Sequence, residues 1–276
     1  MTPFGTRLRT AMDTRGPLCV GIDPHTSLLK DWGLDDDVAG LERFTRTAVE
    51  ALADRVAVLK PQSAFFERFG SRGIAVLEKA VEEARSAGAL VLMDAKRGDI
   101  GSTMNAYAQT FLTPDSPLFS DALTVSPYLG FGSLRPALDA AAASGAGVFV
   151  LALTSNPEGA EVQRATTADG RSLAQLMLDR MAAENADARP MGSVGAVVGA
   201  TLADAGVDLA INGPLLAPGI GAQGATPADL PRVFGDAVGN VLPSVSRGVL
   251  RHGPDIAALR SAAERFVDET RVAIGA

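Results

Sequence analysis

The feature that most constrains the fold of this chain is a regular recurrence of short apolar runs, each followed by a longer segment. The runs are rich in Val, Leu and Ile and cover residues 18–23, 56–60, 90–94, 122–126, 147–154, 194–199, 215–219 and 240–245. Runs of this kind are typical of parallel strands that are covered on both faces. The segments between them, such as 73–87, 134–143, 172–186 and 256–273, have the apolar spacing of amphipathic helices.

Eight strand signals that alternate with helical segments predict an α/β fold, a single (β/α)8 TIM barrel domain over residues 1–276. Residues 1–15 are predicted to form an extra helix ahead of the first strand, and the 158–190 connection to carry a loop excursion before its helix. Six of the runs have a proline near or just beyond their end, which supports this division. Proline is disfavoured inside helices and restricts the residue before it to extended geometry. A doubly wound open sheet shows the same alternation and remains the alternative.

Composition narrows the function classes. The 276 residues carry a net charge of -7, with a pI near 4.9, which argues against general binding to nucleic acids or anionic membranes. The one cysteine, Cys19, excludes an internal disulfide, and two histidines are too few for a Cys/His zinc cluster. Cys19 and His25 are interpreted as packing residues. No secretory signal or membrane-spanning run is predicted, so we expect a cytoplasmic protein without a membrane partner.

Lysine is scarce in this chain, with four residues against 21 arginines. Lys30 falls in a predicted polar loop and Lys79 lies on a predicted helix beside glutamates, whereas Lys60 and Lys96 lie at the ends of predicted strands. Lysine can perform amine chemistry that a guanidinium group cannot, so lysines retained at strand ends point to that chemistry.

The motif DAKRGD holds the strongest site signal. Strand alternation predicts that Asp94 and Lys96 share one face, with Cα atoms about 6.6 Å apart, at the strand end where barrel active sites lie. Asp99 follows beyond the strand and can point away from its own barrel. A lone Asp-x-Lys pair also fits a strand-end salt bridge. However, Asp23 and Lys60 end the first two runs and bring a second acid and a second amine to the same rim.

A glycine-rich segment, APGIGAQGAT at 217–226, begins within the seventh predicted strand and continues into the loop after it. It has the G-x-G-x-x-G spacing of dinucleotide-binding loops, but the next strand end, NVLPSVSRG, lacks the acidic residue that such a site requires. In a barrel the loops after strands seven and eight form the usual phosphate site, so Gln223 and Arg247 are predicted to contact a phosphate group. The alternative is a set of tight turns beside a solvated arginine.

Together these motifs resemble the orotidine 5′-phosphate decarboxylase family in its longer bacterial form. The resemblance spans nearly the whole chain, through GIDPH at 21–25, LKPQ at 59–62, DAKRGD at 94–99, LTSNPE at 153–158, APGIGAQG at 217–224 and SRG at 246–248. The D-x-K-x-x-D pattern alone belongs to a wider group of sugar-phosphate barrel enzymes. Lys60 narrows the resemblance, because the metal-dependent relatives carry a glutamate metal ligand at that strand end.

The resemblance implies a carboxy-lyase of pyrimidine biosynthesis that converts orotidine 5′-monophosphate to uridine 5′-monophosphate (UMP) without a metal or cofactor. The site residues that it implies are Lys60, Asp94, Lys96 and Asp99 as the charged catalytic array, with Lys96 protonating C6; Asp23 and Thr103 at the ribose; Ser155 at the pyrimidine edge; Pro218 on the base; and Gln223 and Arg247 at the phosphate. It also implies a homodimer in which Asp99 and Thr103 reach the neighbouring site, with no nucleic-acid partner.

Two other functions stay open from the sequence. A metal-dependent decarboxylase or aldolase acting on a sugar phosphate would need Mg²⁺ and a carboxylate where Lys60 stands. A catalytically idle phosphoribosyl-binding barrel would bind UMP yet leave orotidine monophosphate unchanged. Loss of the orotate absorbance in the presence of a chelator separates the three functions.

Overall fold

The strands close into a complete barrel. A computed structural model describes residues 1–221 and 224–275 and shows eight parallel strands, each paired with the next and the eighth with the first. The strands are β1 Cys19–Ile22, β2 Val58–Pro61, β3 Leu90–Arg97, β4 Ala122–Val125, β5 Gly147–Leu153, β6 Val194–Val198, β7 Leu215–Pro218 and β8 Val241–Val245. Every predicted run is a strand, with ends shifted by at most three residues. The TIM barrel prediction is confirmed, and closure of β8 onto β1 excludes the open sheet.

Helices surround the barrel. In the described part of the chain the α-helices are α1 Phe4–Arg15, α2 Thr26–Asp31, α3 Val38–Leu52, α4 Ala64–Glu67, α5 Gly70–Ser86, α6 Gly101–Leu112, α7 Arg135–Ser144, α8 Ala160–Gln163, α9 Leu173–Glu184, α10 Leu230–Phe234, α11 Arg247–Leu250 and α12 Ile256–Ile274. Helix α1 is the extra helix predicted for residues 1–15, whereas Lys30, predicted in a loop, lies in α2. Among the described residues no helix combines the length and apolar content needed to cross a membrane.

Two connections depart from a simple strand–helix repeat. Segment 199–214, between β6 and β7, contains no helix, because glycines interrupt it and no apolar stripe of helical spacing runs through it. Leu209 and Ile211, 6% and 1% exposed, fill the outer core there instead. The 158–190 connection carries α8 and an isolated β-bridge before α9 begins, as the predicted excursion requires.

The two ends of the barrel differ. One buried cluster joins Phe4, Leu8 and Met12 of α1 to interior strand residues such as Phe149. The Phe4 and Phe149 rings meet edge-on, with 5.9 Å between their centroids. Helix α1 therefore closes the amino-terminal end of the barrel, and a ligand has to enter at the carboxyl-terminal end.

Candidate active site

Polar side chains replace apolar ones along the inner face of the strands near the carboxyl-terminal end of the barrel, which is called the mouth from here on. On β3 the inward positions run Leu90, Leu92 and then Asp94, and on β2 Val58 is followed by Lys60. Residues two apart in a strand point to the same face. The alternation that directs Leu90, Leu92 and Val58 into the barrel therefore also directs Asp94 and Lys60 inward. These charges lie directly beyond the apolar interior, at the end where barrel enzymes bind their substrates.

Lys60, Asp94 and Lys96 form a continuous ion-paired group, here called the charged triad. The Lys60 Nζ donates to Asp94 Oδ2 at 2.9 Å, and the Lys96 Nζ donates to Asp94 Oδ1 at 2.6 Å. Thr124 Oγ1 on β4 donates a third bond to Asp94 Oδ1 at 2.9 Å. The Lys60 and Asp94 side chains are 7% and 8% exposed, whereas that of Lys96 is 43% exposed. One carboxylate is thus shared by a buried ammonium and a solvent-facing one.

Burial and pairing together set the protonation of the buried members. Burial disfavours the charge of Asp94 and by itself would raise the pKa of this carboxyl group. The ammonium groups of Lys60 and Lys96 outweigh the effect of burial and hold the pKa of Asp94 well below its usual range. Burial likewise disfavours the charge of Lys60, but the Asp94 and Asp23 carboxylates raise the pKa of Lys60 above its ordinary value. The pKa of Asp94 is lower in the folded protein than in the unfolded chain, where it is roughly 3.9. The ionised Asp94 therefore contributes its full stabilisation of the fold at pH values well above roughly 3.9. This contribution is lost as the pH falls toward the pKa of Asp94 in the folded protein.

The end of β3 is irregular at Lys96. Its φ of +47° lies in the left-handed region, and the pairing of β3 with β4 shifts register between Met93 and Arg97. The Lys96 backbone N–H donates to Thr124 Oγ1 at 3.0 Å. The side chains of Asp94 and Lys96 meet as predicted, but the end of β3 departs from the regular alternation on which the prediction was based.

The charged triad lines a cavity of about 360 Å³ at the mouth. Seven of the ten predicted site residues line it: Asp23, Lys60, Asp94, Lys96, Ser155, Pro218 and Arg247. Pro218 ends β7 and Arg247 begins α11 just after β8, so both loops of the predicted phosphate site border the cavity. Gln223 lies outside the described residues.

Asp99 and Thr103 are not among the described residues that line this cavity. Asp99 is partly exposed, and its Oδ1 accepts a hydrogen bond from the N–H of Ile100 at 2.8 Å, where the chain turns into α6. Thr103 is exposed in the first turn of α6. The two residues therefore lie outside the lining of this barrel's own cavity, and their implied role in a neighbouring subunit stays a prediction.

Two groups of the cavity have unused hydrogen-bonding capacity. Asp23 Oδ1 and Ser246 Oγ are buried and have no hydrogen-bond partner among the described residues. Gly21 makes room for both, since a Cβ there would lie 3.0 Å from Asp23 Oδ2 and 3.1 Å from the Ser246 Cβ. A buried polar group without a partner is unfavourable, so both atoms are suited to oxygens of a bound ligand.

The polar residues that line the cavity but are absent from the predicted site are His25, Gln62, Thr124, Thr154, Asn156, Ser244 and Ser246. Thr124 has the clearest signal, because it is a polar residue at an inward position near the end of an otherwise apolar strand. The interpretation of His25 as a packing residue is incomplete. Its ring does contact the Phe65 ring edge-on, at 4.4 Å between centroids, but it also borders the cavity. Cys19 is fully buried, and burial raises the pKa of its thiol to about 12.

The fold and the site together define a class of protein. A TIM barrel with amines and carboxylates at its mouth, beside the loops after strands seven and eight, is the layout of barrel enzymes that act on phosphorylated substrates. A sequence-family model described as "Orotidine 5'-phosphate decarboxylase / HUMPS family" matches residues 16–262. The chain belongs to this family.

Relatives match the chain over its full length. It is 76% identical to the orotidine 5′-phosphate decarboxylase of Streptomyces coelicolor over 277 residues, covering 100% of both chains. Its structure superposes with a TM-score of 0.98 on a crystal structure from Streptomyces avermitilis assigned to the same enzyme, at 74% identity over 100% of this chain and 97% of the other. The TM-score is 0.76 against the OMP decarboxylase of Leishmania donovani, at 30% identity over 100% of both chains.

Proposed function

We propose that this chain removes the C6 carboxyl group of orotidine 5′-monophosphate, giving UMP and CO₂, and that Lys96 protonates C6. Membership of the family and full-length identity of 76% to a decarboxylase support the reaction. The charged triad is the observation that carries the proposal, because it holds a solvent-facing ammonium against a buried carboxylate inside the cavity.

The reaction needs a cation at C6. Loss of CO₂ leaves an electron pair on a ring carbon that has no electron sink. An ammonium beside that carbon stabilises the charge as it develops and can then supply the proton. The C6–carboxyl bond breaks with its electrons remaining on C6, a proton moves from the Lys96 Nζ to C6, and water restores the ammonium. The 43% exposure of Lys96 gives water that access.

Asp94 and Lys60 prepare the proton donor. Lys60 and Thr124 bond Asp94 independently of Lys96, so the carboxylate keeps its position and charge when Lys96 loses its proton. In the proposed complex Asp94 faces the departing carboxylate. The repulsion between these two anions is relieved as CO₂ leaves and adds to the preorganised stabilisation by Lys96.

The remaining site residues are proposed as substrate contacts. The roles are ribose hydroxyls for Asp23, with Thr103 of a second copy; the pyrimidine edge for Ser155; the face of the base for Pro218; and the phosphate for Gln223 and Arg247. The unpartnered Oδ1 of Asp23 supports the ribose contact, since it can accept a hydrogen bond from a hydroxyl group. Binding energy gained at the phosphate supports catalysis at the distant ring.

Decarboxylation is expected to continue unchanged in the presence of EDTA. Both oxygens of Asp94 are bonded to ammonium groups, and the ammonium of Lys60 occupies the strand end where the metal-dependent alternative requires a carboxylate. The assay follows loss of the orotate absorbance with purified protein, with and without chelator. Activity that EDTA abolishes and Mg²⁺ restores would favour the metal-dependent enzyme. Binding of UMP without any turnover would favour the idle barrel.

Arg247→Ala is expected to raise the KM for orotidine monophosphate roughly 10- to 100-fold, because a charge-assisted contact to the phosphate is lost. Uridine, which has no phosphate, is expected to bind wild type and variant equally. Arg251→Ala is the matched control, since Arg251 is also exposed, lies four residues further along and does not line the cavity. An unchanged KM in Arg247→Ala would contradict the phosphate assignment.

Two copies of the chain are proposed to form a dimer through the rim beside β3 and β4. Ile100, Tyr128 and Leu129 are 62%, 77% and 52% exposed, and they follow these two adjacent strands. Large apolar side chains clustered at one rim are typical of an interaction surface. A second copy on this rim would bury them and would bring Asp99 and Thr103 to the partner's cavity.

A cytoplasmic location is proposed together with this function. The single cysteine, Cys19, is a buried free thiol inside the barrel, which is typical of proteins in reducing compartments. The acidic charge balance of the chain also supports a small nucleotide, rather than a nucleic acid or a membrane, as its partner.

A further inference from the structure

A second ion pair, between Arg97 and Glu67, adjoins the charged triad at the end of β3. Arg97 follows Lys96 in the sequence, and its Nη2 pairs with Glu67 Oε1 at the end of α4. Its Nη1 donates to the Ala95 carbonyl at 3.3 Å, and its guanidinium carbon lies 5.5 Å from the centroid of the Tyr107 ring on α6. One guanidinium group therefore ties α4 and α6 to the backbone of β3 around the residue that carries the proposed proton donor.

Lys96 depends on such support because its own conformation is unfavourable. A left-handed backbone at a residue other than glycine persists only where the surrounding structure fixes it, and the φ of Lys96 is +47°. At 43% exposure the side chain has little packing of its own to hold it. The position of the ammonium therefore follows the backbone, which Thr124 holds from the β4 side.

Glu67 is connected to the charged triad by a second route. Ser63 Oγ donates to Glu67 Oε1, and the Ser63 N–H donates to the Asp94 carbonyl at 3.1 Å. The bonds form a closed ring that runs from Asp94 through Ser63, Glu67 and Arg97 back to β3. Lys96 lies within the part of β3 that this ring encloses.

We propose that Arg97 and Glu67 are positioning residues that hold Lys96 in its left-handed conformation and so set its ammonium against Asp94. The proposal rests on the proposed role of Lys96 as proton donor. Neither residue is among the described residues that line the cavity, so their effect on the reaction passes through Lys96. Displacing a reacting group by about 1 Å can lower a rate by about 100-fold.

Arg97→Ala is expected to slow the chemical step with little effect on binding. We expect the single-turnover rate of decarboxylation to fall roughly 10- to 100-fold, with the affinity for UMP within about twofold of wild type. Single-turnover measurement is required because slow product release can hide a change in the chemical step. Arg97→Lys keeps the charge but not the planar fork that reaches Glu67 and the Ala95 carbonyl together, so it is expected to recover only part of the rate.

Arg68→Ala is the matched control. Arg68 pairs with Asp36, and its guanidinium carbon lies 4.3 Å from the centroid of the Phe69 ring. The variant therefore loses the same two kinds of contact without touching β3, and we expect it to keep the wild-type rate. Thermal unfolding and sedimentation velocity of both variants separate a loss of rate from a loss of folding or of association.

A double-mutant cycle tests whether Arg97 and Glu67 act as a unit. Glu67→Gln is expected to lower the rate by a factor similar to Arg97→Ala, and the double variant to be little slower than either single one. Glu67→Gln keeps the shape of the side chain, so it carries the test if Arg97→Ala does not fold.

The outcomes separate this proposal from the proposed function. Wild-type single-turnover rates in Arg97→Ala and Glu67→Gln, beside an inactive Lys96→Ala, would overturn the positioning role and leave the proton donor in place. A loss confined to UMP affinity, or an equal loss of rate in Arg68→Ala, would overturn it too. An active Lys96→Ala would overturn the role of Lys96 itself.

Discussion

Lys96→Ala is expected to abolish decarboxylation while leaving the protein folded and able to bind UMP. The ammonium supplies both the charge that stabilises the C6 carbanion and the proton that neutralises it, so turnover is expected to fall roughly 10⁴-fold or more. Folding is expected to survive because Lys96 is 43% exposed and Asp94 keeps its bonds from Lys60 and Thr124. Turnover is measured from the orotate absorbance, and UMP binding by titration calorimetry.

Two companion variants separate charge from proton delivery. Lys96→Arg keeps a positive charge, but a guanidinium group does not give up a proton at neutral pH, so this variant is expected to stay severely impaired. Lys79→Ala removes another paired lysine, whose Nζ lies 3.3 Å from Glu42 on the surface, and is expected to leave turnover unchanged. Near-wild-type turnover in Lys96→Ala would exclude Lys96 as the proton donor.

The barrel and the inner members of the charged triad could be predicted from the sequence for one physical reason. Strands covered on both faces are apolar throughout, so a charge at the end of such a run marks the point where the strand leaves the core. Asp94 and Lys60 both follow this pattern and are both inward and buried. The alternation of strands and helices does not extend to segment 199–214, an irregular chain without a helix that buries Leu209 and Ile211 instead.

The conformation of Lys96 could not be predicted, because it depends on residues distant in the sequence. Strand alternation assumes a regular backbone, whereas the irregular end of β3 bonds to Thr124 of β4 at Lys96 and is followed by Arg97, which pairs with Glu67 of α4. Within DAKRGD these contacts leave no local signal. For the same reason Thr124 is absent from the predicted site, although it bonds both the Asp94 carboxylate and the Lys96 backbone.

Two inactive variants are expected to restore activity to each other when mixed, if Asp99 serves the neighbouring subunit. An Asp99→Ala subunit keeps its own charged triad, whereas a Lys96→Ala subunit lacks one but still offers Asp99 to its partner. Each variant alone is expected to be inactive. In a random mixture half of the dimers combine the two and hold one complete site each, so roughly one quarter of all sites are expected to be active. The activity is measured after the two variants are refolded or expressed together.

The matched negative control is a mixture of Asp94→Ala with Lys96→Ala. Both residues belong to the charged triad of one barrel, where their side chains lie 2.6 Å apart, so no pairing of these two subunits holds a complete site. Full activity of Asp99→Ala alone would contradict the shared site, because nothing at this position would then be needed from a second copy. The shared site would also be contradicted if differently tagged subunits of the first mixture copurified, so that mixed dimers were present, and the mixture was still inactive. Recovery in the first mixture and none in the second would require Asp99 to act across the interface, since the two mixtures differ only in whether the altered residues serve the same site.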